Sequence, residues 1–345
     1  MPLPPRPKRL GAYDIVAKIG GGGMATIYLG RSSDHVAAVK VLRPELASSK
    51  PSVDMFLDEA KILSLLAHDN ITRTYAFGEE GGNYYIAMEL LLGRTLVDVW
   101  DACVAKKLAL RLDLSAFIAA RIGDGLAHAH EVTDERGVHL RLIHRDVNPS
   151  NVFLGYDGQV KLFDFGLAKA LGRRAESSAG IVKGKLPYLS PEQILQLEID
   201  HRADVFMLGT TLWEMTTMRR LFKRDQDVDT VKAVRGGPIP DPRKIVPGYP
   251  DELWRILSKA LQRNRDNRYP DAGAFARDLD AFVAATAPQH PAALIAPILE
   301  SLFPGDRARQ MGWLKSTSAM PRGAAGPTMR PPAPLPSTRE GNGSD

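Results

Sequence analysis

The stretch from Leu142 to Leu167 constrains this chain most, because it orders several polar residues between short apolar runs. It reads LIHRDVNPSNVFLGYDGQVKLFDFGL, with two runs typical of short strands, each next to a loop that carries an aspartate. The first loop holds a His-Arg-Asp triplet that ends at Asp146, and Asn151 follows five positions later. The second loop holds an Asp-Phe-Gly triplet that begins at Asp164. A carboxylate that orients a hydroxyl group, together with hard oxygen ligands for Mg²⁺, is the set that phosphoryl transfer needs.

The two triplets, in this order and in this strand-and-loop context, resemble the catalytic and metal-binding loops of eukaryotic-type protein kinases. The resemblance implies that Asp146 orients the substrate hydroxyl group and accepts its proton. It also implies that Asn151 and Asp164 hold Mg²⁺, which Mn²⁺ can replace, against the phosphates of ATP. The family has a lysine two positions after the catalytic aspartate, whereas this chain has Asn148 there.

Upstream of these loops, the chain alternates as strand, turn, strand and strand from Tyr13 onward. Four consecutive glycines, Gly20 to Gly23, form a turn whose N–H groups can face phosphate oxygens, although a flexible hairpin tip explains that motif alone equally well. The resemblance gives Lys40 the role of reaching the α- and β-phosphates. Glu59 lies among apolar residues at helical spacing, and by resemblance it pairs with Lys40.

The segment around Glu89 resembles the hinge between the two lobes of these kinases. The resemblance implies that the carbonyl group of Glu89 and the N–H group of Leu91 bind the edge of adenine. Ile27, Ala38 and Phe153 are expected to lie on the two faces of the ring. The residues assigned to nucleotide binding by resemblance are Ile19, Gly20, Gly21, Gly22, Gly23, Met24, Ala25, Thr26, Ile27, Ala38, Lys40, Glu89, Leu91, Asn151, Phe153 and Asp164.

A second departure from the family lies in the activation segment, residues 164–192, where Gly184-Lys185 replaces the usual Gly-Thr. In serine/threonine kinases this threonine contacts both the catalytic aspartate and the lysine that Asn148 replaces here, so the two departures fall at one place. We therefore expect the ammonium group of Lys185 to supply the missing positive charge beside Asp146. The alternative is that Lys185 points into solvent.

Three further residues are assigned a supporting role by resemblance. Glu192 is expected to pair with Arg268, and Asp204 is expected to brace the backbone of the catalytic loop.

His128 and His130 do not predict a metal site, because residues two apart point to different faces of a helix. We expect both histidines to be packing or surface residues.

The activation segment also carries the candidate sites of regulation. Arg145 and Lys169 resemble the basic pocket that receives an activation-loop phosphate. The positions commonly phosphorylated in the family are not hydroxyl residues in this chain. Ser177 and Ser178 are therefore the candidates for autophosphorylation.

Composition excludes several other classes of protein. The net charge of +5 comes from Lys and Arg interspersed with acidic residues, and no RNA-binding or zinc-finger signature accompanies it, so a nucleic-acid partner is not expected. The chain has no uninterrupted apolar run of about 18 residues and no signal-peptide core, which argues against a membrane association. Its single cysteine, Cys103, cannot form an internal disulfide, so we expect a soluble cytoplasmic protein.

The resemblance covers residues 13–285 and implies an α+β, bilobal protein kinase-like fold. The N-lobe, about 13–88, is expected to be an antiparallel sheet with one helix, and the C-lobe, about 92–285, to be mainly helical. Residues 1–12 and the tail at 316–345, which is rich in Pro and Gly, are expected to be disordered. Residues 286–315 are expected to form an accessory helix that packs on the large lobe or meets a partner.

The implied function is ATP- and Mg²⁺-dependent phosphorylation of serine or threonine in protein substrates, with self-association for autophosphorylation, as part of signal transduction. Pro149 and Asn151 favour the serine/threonine branch over the tyrosine branch, and the late motifs look most like bacterial eukaryotic-like kinases. One alternative is a pseudokinase or scaffold, suggested by Asn148, Lys185 and Ala25, the last of which replaces the third glycine of the family's loop. A second alternative is a small-molecule kinase of the same fold.

Overall fold

The computed structural model describes residues 7–134, 136–165 and 185–318. Within these ranges the chain folds into a small sheet-rich lobe followed by a larger helical lobe. The hinge residues that join them follow the last strand of the small lobe, β6 (Asn83–Glu89). This arrangement places the glycine turn and Lys40 on one lobe, and both aspartate loops on the other.

The small lobe is a six-stranded antiparallel sheet with the order β1-β2-β3-β4-β6-β5. Helix α2 packs on the sheet through Val53, Phe56 and Ala60, whose spacing puts them on one helical face. The elements are β1 (Arg9–Leu10), β2 (Tyr13–Gly21), β3 (Ala25–Arg31), β4 (Val36–Leu42), α1 (Pro44–Ala47), α2 (Lys50–Leu63), β5 (Thr74–Glu80) and β6 (Asn83–Glu89).

The large lobe is built around two buried helices, α4 and α6, with α9 packed against both. A three-stranded sheet, β7-β8-β9, lies at its junction with the hinge. The helices are α3 (Leu96–Lys106), α4 (Leu112–His130), α5 (Pro191–Ile194), α6 (Arg202–Thr217), α7 (Asp227–Gly236), α8 (Asp251–Ala260), α9 (Ala272–Thr286), α10 (Ala292–Leu302) and α11 (Asp306–Ser318). The strands are β7 (Gly93–Thr95), β8 (Val152–Gly155) and β9 (Val160–Leu162), and single-turn 3₁₀ helices form at Pro149–Asn151, Leu186–Tyr188, Pro242–Lys244 and Arg265–Asn267.

The N-terminal segment is more ordered than its composition predicts. We expected disorder through residue 12, but Arg9–Leu10 form β1 and pair with β2. The side chain of Leu10 is fully buried in a cluster that includes Tyr13 and Ile15. A two-residue strand is too short to show a period, which is why the sequence does not reveal it.

The C-terminal region contains two helices where one accessory helix was expected over residues 286–315. Helix α10 ends at Leu302, and Gly305, at φ +77°, allows the chain to turn before α11 begins at Asp306. Helix α10 buries Ile295 and Leu299 in the core of the large lobe. Helix α11 continues to Ser318, past the boundary predicted for the tail.

None of the helices described in residues 7–134, 136–165 and 185–318 is both long enough and apolar enough to cross a lipid bilayer.

Candidate active site

Lys40 contacts one carboxylate in each lobe. It lies on β4, and its Nζ atom is 3.2 Å from Oε1 of Glu59 on α2 and 2.8 Å from Oδ1 of Asp164 in the large lobe. Burial lowers the pKa of Lys40, but Asp164 and Glu59 more than offset it, so the pKa is raised and the ammonium stays charged. Burial raises the pKa of Glu59, although Lys40 opposes that effect. The lysine therefore carries its charge into the cleft.

The catalytic loop is held in shape by two amide side chains that bond to one aspartate. Nδ2 of Asn151 donates to the Asp146 carbonyl oxygen over 2.8 Å and to its Oδ2 atom over 2.9 Å. Nδ2 of Asn148 donates to the same carbonyl oxygen over 2.8 Å, and its Oδ1 atom accepts from the N–H group of Ser150. Asn148 thus caps the 3₁₀ turn that begins at Pro149 and is buried, so it contributes no charge to the cleft.

Lys185 lies beside Asp146, where the sequence analysis predicts that it replaces the positive charge of the family's missing lysine. Its ammonium group donates to Oδ2 of Asp146, and the Asp146 side chain is only 7% exposed. The alternative, in which Lys185 points only into solvent, does not describe this geometry. Its role in the reaction stays a prediction, since a contact alone does not measure a rate.

The backbone of the catalytic loop rests on Asp204, as the resemblance implies. Its carboxylate accepts from the N–H groups of His144 and Arg145 over 2.8 Å and 2.9 Å. The Nε2 atom of His130 lies 2.8 Å from the same carboxylate. Burial alone would raise the pKa of Asp204, but the hydrogen bonds that it accepts from His130 and from the N–H group of Arg145 lower it below the usual range. This support holds Arg145 at φ +63°, a left-handed conformation that is uncommon outside glycine.

The activation segment is anchored to the large lobe by a buried ion pair. Nη1 and Nη2 of Arg268 donate to Oε1 and Oε2 of Glu192, each over 2.7 Å, which is the predicted pairing. Next to it, Nε2 of Gln193 donates to the Arg145 carbonyl oxygen over 3.1 Å. The anchor therefore connects directly to the catalytic loop.

The nucleotide-binding candidates follow the sheet and the hinge. Strand pairing sets Ile27 opposite Lys40 and Ala38 opposite Met88, the residue before Glu89. Leu91 and Phe153 line, together with Glu89, a cavity of about 270 Å³ that also borders Lys161 and Met311 and that neither the glycine turn nor Lys40 lines. Ile19, Gly20 and Gly21 lie in β2, Ala25, Thr26 and Ile27 lie in β3, and Gly22, Gly23 and Met24 form the turn between these strands.

A family model of the protein kinase domain matches residues 13–277. The chain belongs to the protein kinase family. It is 39% identical over 279 residues to the tyrosine-protein kinase MasK of Myxococcus xanthus, in a match covering 79% of this chain and 43% of MasK. It is 32% identical over 273 residues to the serine/threonine-protein kinase PrkC of Bacillus subtilis, covering 78% of this chain and 40% of PrkC.

A third relative is the serine/threonine-protein kinase PknB of Mycolicibacterium smegmatis, 32% identical over 324 residues, covering 90% of this chain and 49% of PknB. The chain thus spans less than half the length of these three relatives. The crystal structure of the PknI kinase domain of M. tuberculosis superposes with a TM-score of 0.58 at 25% identity, covering 80% of this chain and 96% of that one. This match confirms the predicted bilobal α+β fold.

Asn151 and Asp164, the residues predicted to hold a metal, fit that task by their chemistry. Nδ2 of Asn151 donates to Asp146, so the Oδ1 atom of Asn151, in the same amide plane, points away from that hydrogen bond. Asp164, at φ +52°, presents a half-exposed carboxylate at the start of the second loop. Among the residues described, no group of three or more His, Cys, Asp or Glu could hold a metal ion. A site with one carboxylate and one amide suits Mg²⁺, which commonly takes its remaining ligands from water and substrate phosphates.

Some features of this site were missed by the sequence analysis, and other predicted residues fall outside the described ones. His130 was expected to be a packing or surface residue, but it supports Asp204 from α4. No local pattern could have identified it, because its partner is 74 residues away. The candidates Lys169, Ser177 and Ser178 lie outside the described residues.

Proposed function

We propose that this domain is an ATP- and Mg²⁺-dependent protein kinase that transfers the γ-phosphoryl group to serine or threonine hydroxyl groups in signal transduction. One observation carries the proposal: Lys40 contacts both Glu59 and Asp164, which ties the helix of the small lobe to the metal-binding loop. Kinases need this lysine–glutamate pair and the aspartate of the second loop in place together. The contacts therefore describe an assembled site.

The side chains divide the work of transfer by position and charge. The Lys40 ammonium binds the α- and β-phosphates, and Glu59 limits its movement. Asn151 and Asp164 would hold Mg²⁺, which, when bound, supplies positive charge against the phosphate oxygens. Asp146 accepts the proton of the substrate hydroxyl group while the hydroxyl oxygen of the substrate forms a bond to the γ-phosphorus atom. The bond from that phosphorus atom to the β–γ bridging oxygen breaks, and ADP leaves with the electron pair.

Lys185 and Asp146 together set the charge around the attacking hydroxyl group. A cation next to the transferring phosphoryl group stabilises the negative charge of the transition state. In this chain Lys185 stands beside Asp146, whereas Asn148 is neutral. We therefore assign Lys185 the task of the family's catalytic-loop lysine.

Tyrosine is the second candidate acceptor, because MasK, 39% identical to this chain, is named a tyrosine-protein kinase. Serine or threonine is favoured by the names of PrkC and PknB and by Pro149 in the catalytic loop. Acid hydrolysis of phosphorylated protein followed by phosphoamino-acid separation distinguishes the two. Phosphoserine or phosphothreonine supports the proposal, and phosphotyrosine alone contradicts it.

The alternatives of a pseudokinase and a small-molecule kinase are disfavoured by particular contacts. A pseudokinase has no need to keep Lys40, Glu59 and Asp164 in mutual contact. A small-molecule kinase should lack the Ser-Pro-Glu anchor, which here is a capped helix whose Glu192 binds Arg268. Protein substrates, self-association for autophosphorylation and a cytoplasmic site of action complete the proposal, and the buried free thiol of Cys103 supports the last of these.

The test is transfer of radiolabel from γ-labelled ATP to a generic protein substrate, with phosphosite mass spectrometry on the chain itself. We expect transfer with Mg²⁺, none after chelation, and a loss of about 10²- to 10⁴-fold in Asp146→Asn, the range for a positioned general base. Phosphate on Ser177 or Ser178 would support autophosphorylation there. Nucleotide binding without any transfer would instead support the pseudokinase.

A further inference from the structure

Helix α11 lies against the strand that follows the hinge, and one of its side chains pairs with the backbone of that strand. The Gly93 N–H group donates to Oε1 of Gln310 over 2.8 Å, and Nε2 of Gln310 donates to the Gly93 carbonyl oxygen over 2.9 Å. Gln310 is only 4% exposed. Its side-chain amide thereby satisfies both the N–H and the carbonyl group of Gly93 at the edge of β7, as the backbone of a neighbouring strand would.

A buried carboxylate at the start of α11 strengthens this attachment. Asp306, which is 5% exposed, accepts from Nε of Arg94 over 2.9 Å, from the Tyr156 hydroxyl over 2.9 Å and from Nε2 of Gln310 over 2.7 Å. The Arg94 guanidinium also lies 4.7 Å from the centre of the Phe303 ring. A buried network with its donors and acceptors satisfied is rigid, because each broken bond leaves a polar group without water.

The attached strand is directly continuous with the hinge. Gly93 follows Leu91 by two positions, and Thr95 on β7 pairs with Phe153 on β8. A Cβ atom at Gly93 would lie 2.0 Å from the Leu154 carbonyl oxygen, so β7 packs closely on β8. A shift of β7 would therefore move the Leu91 N–H group relative to Phe153, two groups assigned to adenine.

The same helix contributes to the cavity behind the hinge. Arg307 and Met311 line that space together with hinge residues 89–92 and Phe153. Lys161 on β9 lines the same cavity, and its Nζ atom lies 2.9 Å from Oε1 of Glu89. The hinge is thus bounded by α11 as well as by β9.

We propose that Gln310 and Asp306 are positioning residues for nucleotide binding, because their contacts hold β7 and the hinge atoms that bind adenine. This inference rests on the ATP-dependent function proposed above. We call these two residues, Asp306 and Gln310, the clamp; the family match ends at residue 277, so both lie outside it. Loosening the clamp weakens nucleotide binding and leaves the chemistry of Asp146 unchanged.

The first test replaces the pairing amide in the full chain. Gln310→Met keeps the length and apolar stem of the side chain but removes its hydrogen bonds to Gly93 and Asp306. Gln310 makes three hydrogen bonds, and we expect their loss to raise the KM for ATP and the Kd for ADP about threefold to tenfold, the equivalent of about one net hydrogen bond of usual strength. The kcat value and the KM for the protein substrate should change little.

A matched pair of tyrosine variants controls for general loss of stability. Tyr156→Phe removes the hydroxyl that donates to Asp306, and Tyr269→Phe removes one that donates to Asp278 over 2.7 Å, away from the hinge. We expect Tyr156→Phe, and not Tyr269→Phe, to raise the KM for ATP. Amide hydrogen exchange over residues 89–95 should become faster in the first variant only.

The outcomes separate this inference from the function on which it rests. A parent protein that binds ATP, with the same KM in Gln310→Met and Tyr156→Phe, would overturn the clamp and leave the kinase function standing. A parent protein that binds no ATP would overturn the function itself. Should Gln310→Met fail to fold, Tyr156→Phe decides the question, since it deletes only one hydroxyl group.

Discussion

Lys185 donates a hydrogen bond to the same carboxylate oxygen of Asp146 that accepts from Asn151. The amide of Asn148 instead bonds to the Asp146 carbonyl oxygen and caps the adjacent turn. Asn148 therefore maintains the shape of the loop, and Lys185 supplies the positive charge beside Asp146. In the family a single lysine stands at the first of these positions.

This division predicts a large effect of Lys185→Ala. The variant should lose about 10² to 10³ in kcat, the usual cost of removing a group that stabilises transition-state charge. The double variant Asn148→Lys with Lys185→Thr should regain most of the lost rate. Steady-state transfer to a protein substrate measures both. A Lys185→Ala variant as fast as the parent would show that the ion pair has no part in the reaction.

Glu59 is expected to affect rate through the position of Lys40. Glu59→Gln removes the negative charge but keeps the shape of the side chain. We expect kcat to fall about tenfold to a hundredfold, and each factor of ten corresponds to an increase of about 1.36 kcal/mol in the activation free energy. Glu45→Gln, at an exposed position on α1, is the matched control. Equal rates in the two variants would contradict the assignment.

The Glu192–Arg268 pair should matter for stability, because both side chains are buried. Glu192→Ala leaves the Arg268 guanidinium without its counter-ion, so we expect the free energy of unfolding to fall by about 3–5 kcal/mol. The double variant Glu192→Leu with Arg268→Met, which buries no lone charge, should be less destabilised. Urea denaturation, monitored by circular dichroism, measures the free energy of unfolding of the parent and of both variants. If both variants are equally unstable, packing and not charge governs the site.

His144 predicts a dependence of stability on pH. Complete burial lowers the pKa of His144, although Asp204 and Asp146 partly oppose that effect. The unfolded chain takes up a proton near pH 6.5, about the usual pKa of histidine, while the folded chain does not, so stability falls as the pH drops below about 6.5. His144→Phe keeps a ring beside Phe165, which lies 4.4 Å away, and should flatten this part of the profile.

The measurement for His144 is the melting temperature between pH 5 and 7.5. Replacing the exposed His139 with Phe provides the control and should leave the slope of the parent unchanged. Part of the slope should remain in His144→Phe, because burial also lowers the pKa of His68. An unchanged slope in His144→Phe would mean that other groups dominate the acid sensitivity.

The active-site residues could be predicted because they lie in short motifs whose order along the chain is informative. Asp146 and Asn151 share one loop, and the pairing of Lys40 with Glu59 was implied by the resemblance of their segments to those of the family. Gln310 could not be predicted in this way. Its partner is the backbone of Gly93, 217 residues away, and backbone groups leave no trace in the side-chain pattern.

The boundaries of the domain were predicted less well, for a related reason. The proline-rich composition around Leu10 suggested disorder, whereas one buried side chain and a two-residue ladder are enough to order that segment. Similarly, the apolar pattern of α10 was visible, but the polar residues of α11 gave no sign that two of them, Asp306 and Gln310, are buried.

Helix α10 places Ile295, Leu299 and Leu302 in the core of the large lobe. A recombinant fragment cut at residue 277, the end of the family match, would lose these three side chains, each worth about 1.5–3 kcal/mol of burial. It would also expose the apolar surface that they cover, which favours aggregation during expression. Fragments prepared for crystallisation or drug screening should therefore retain the chain to residue 318.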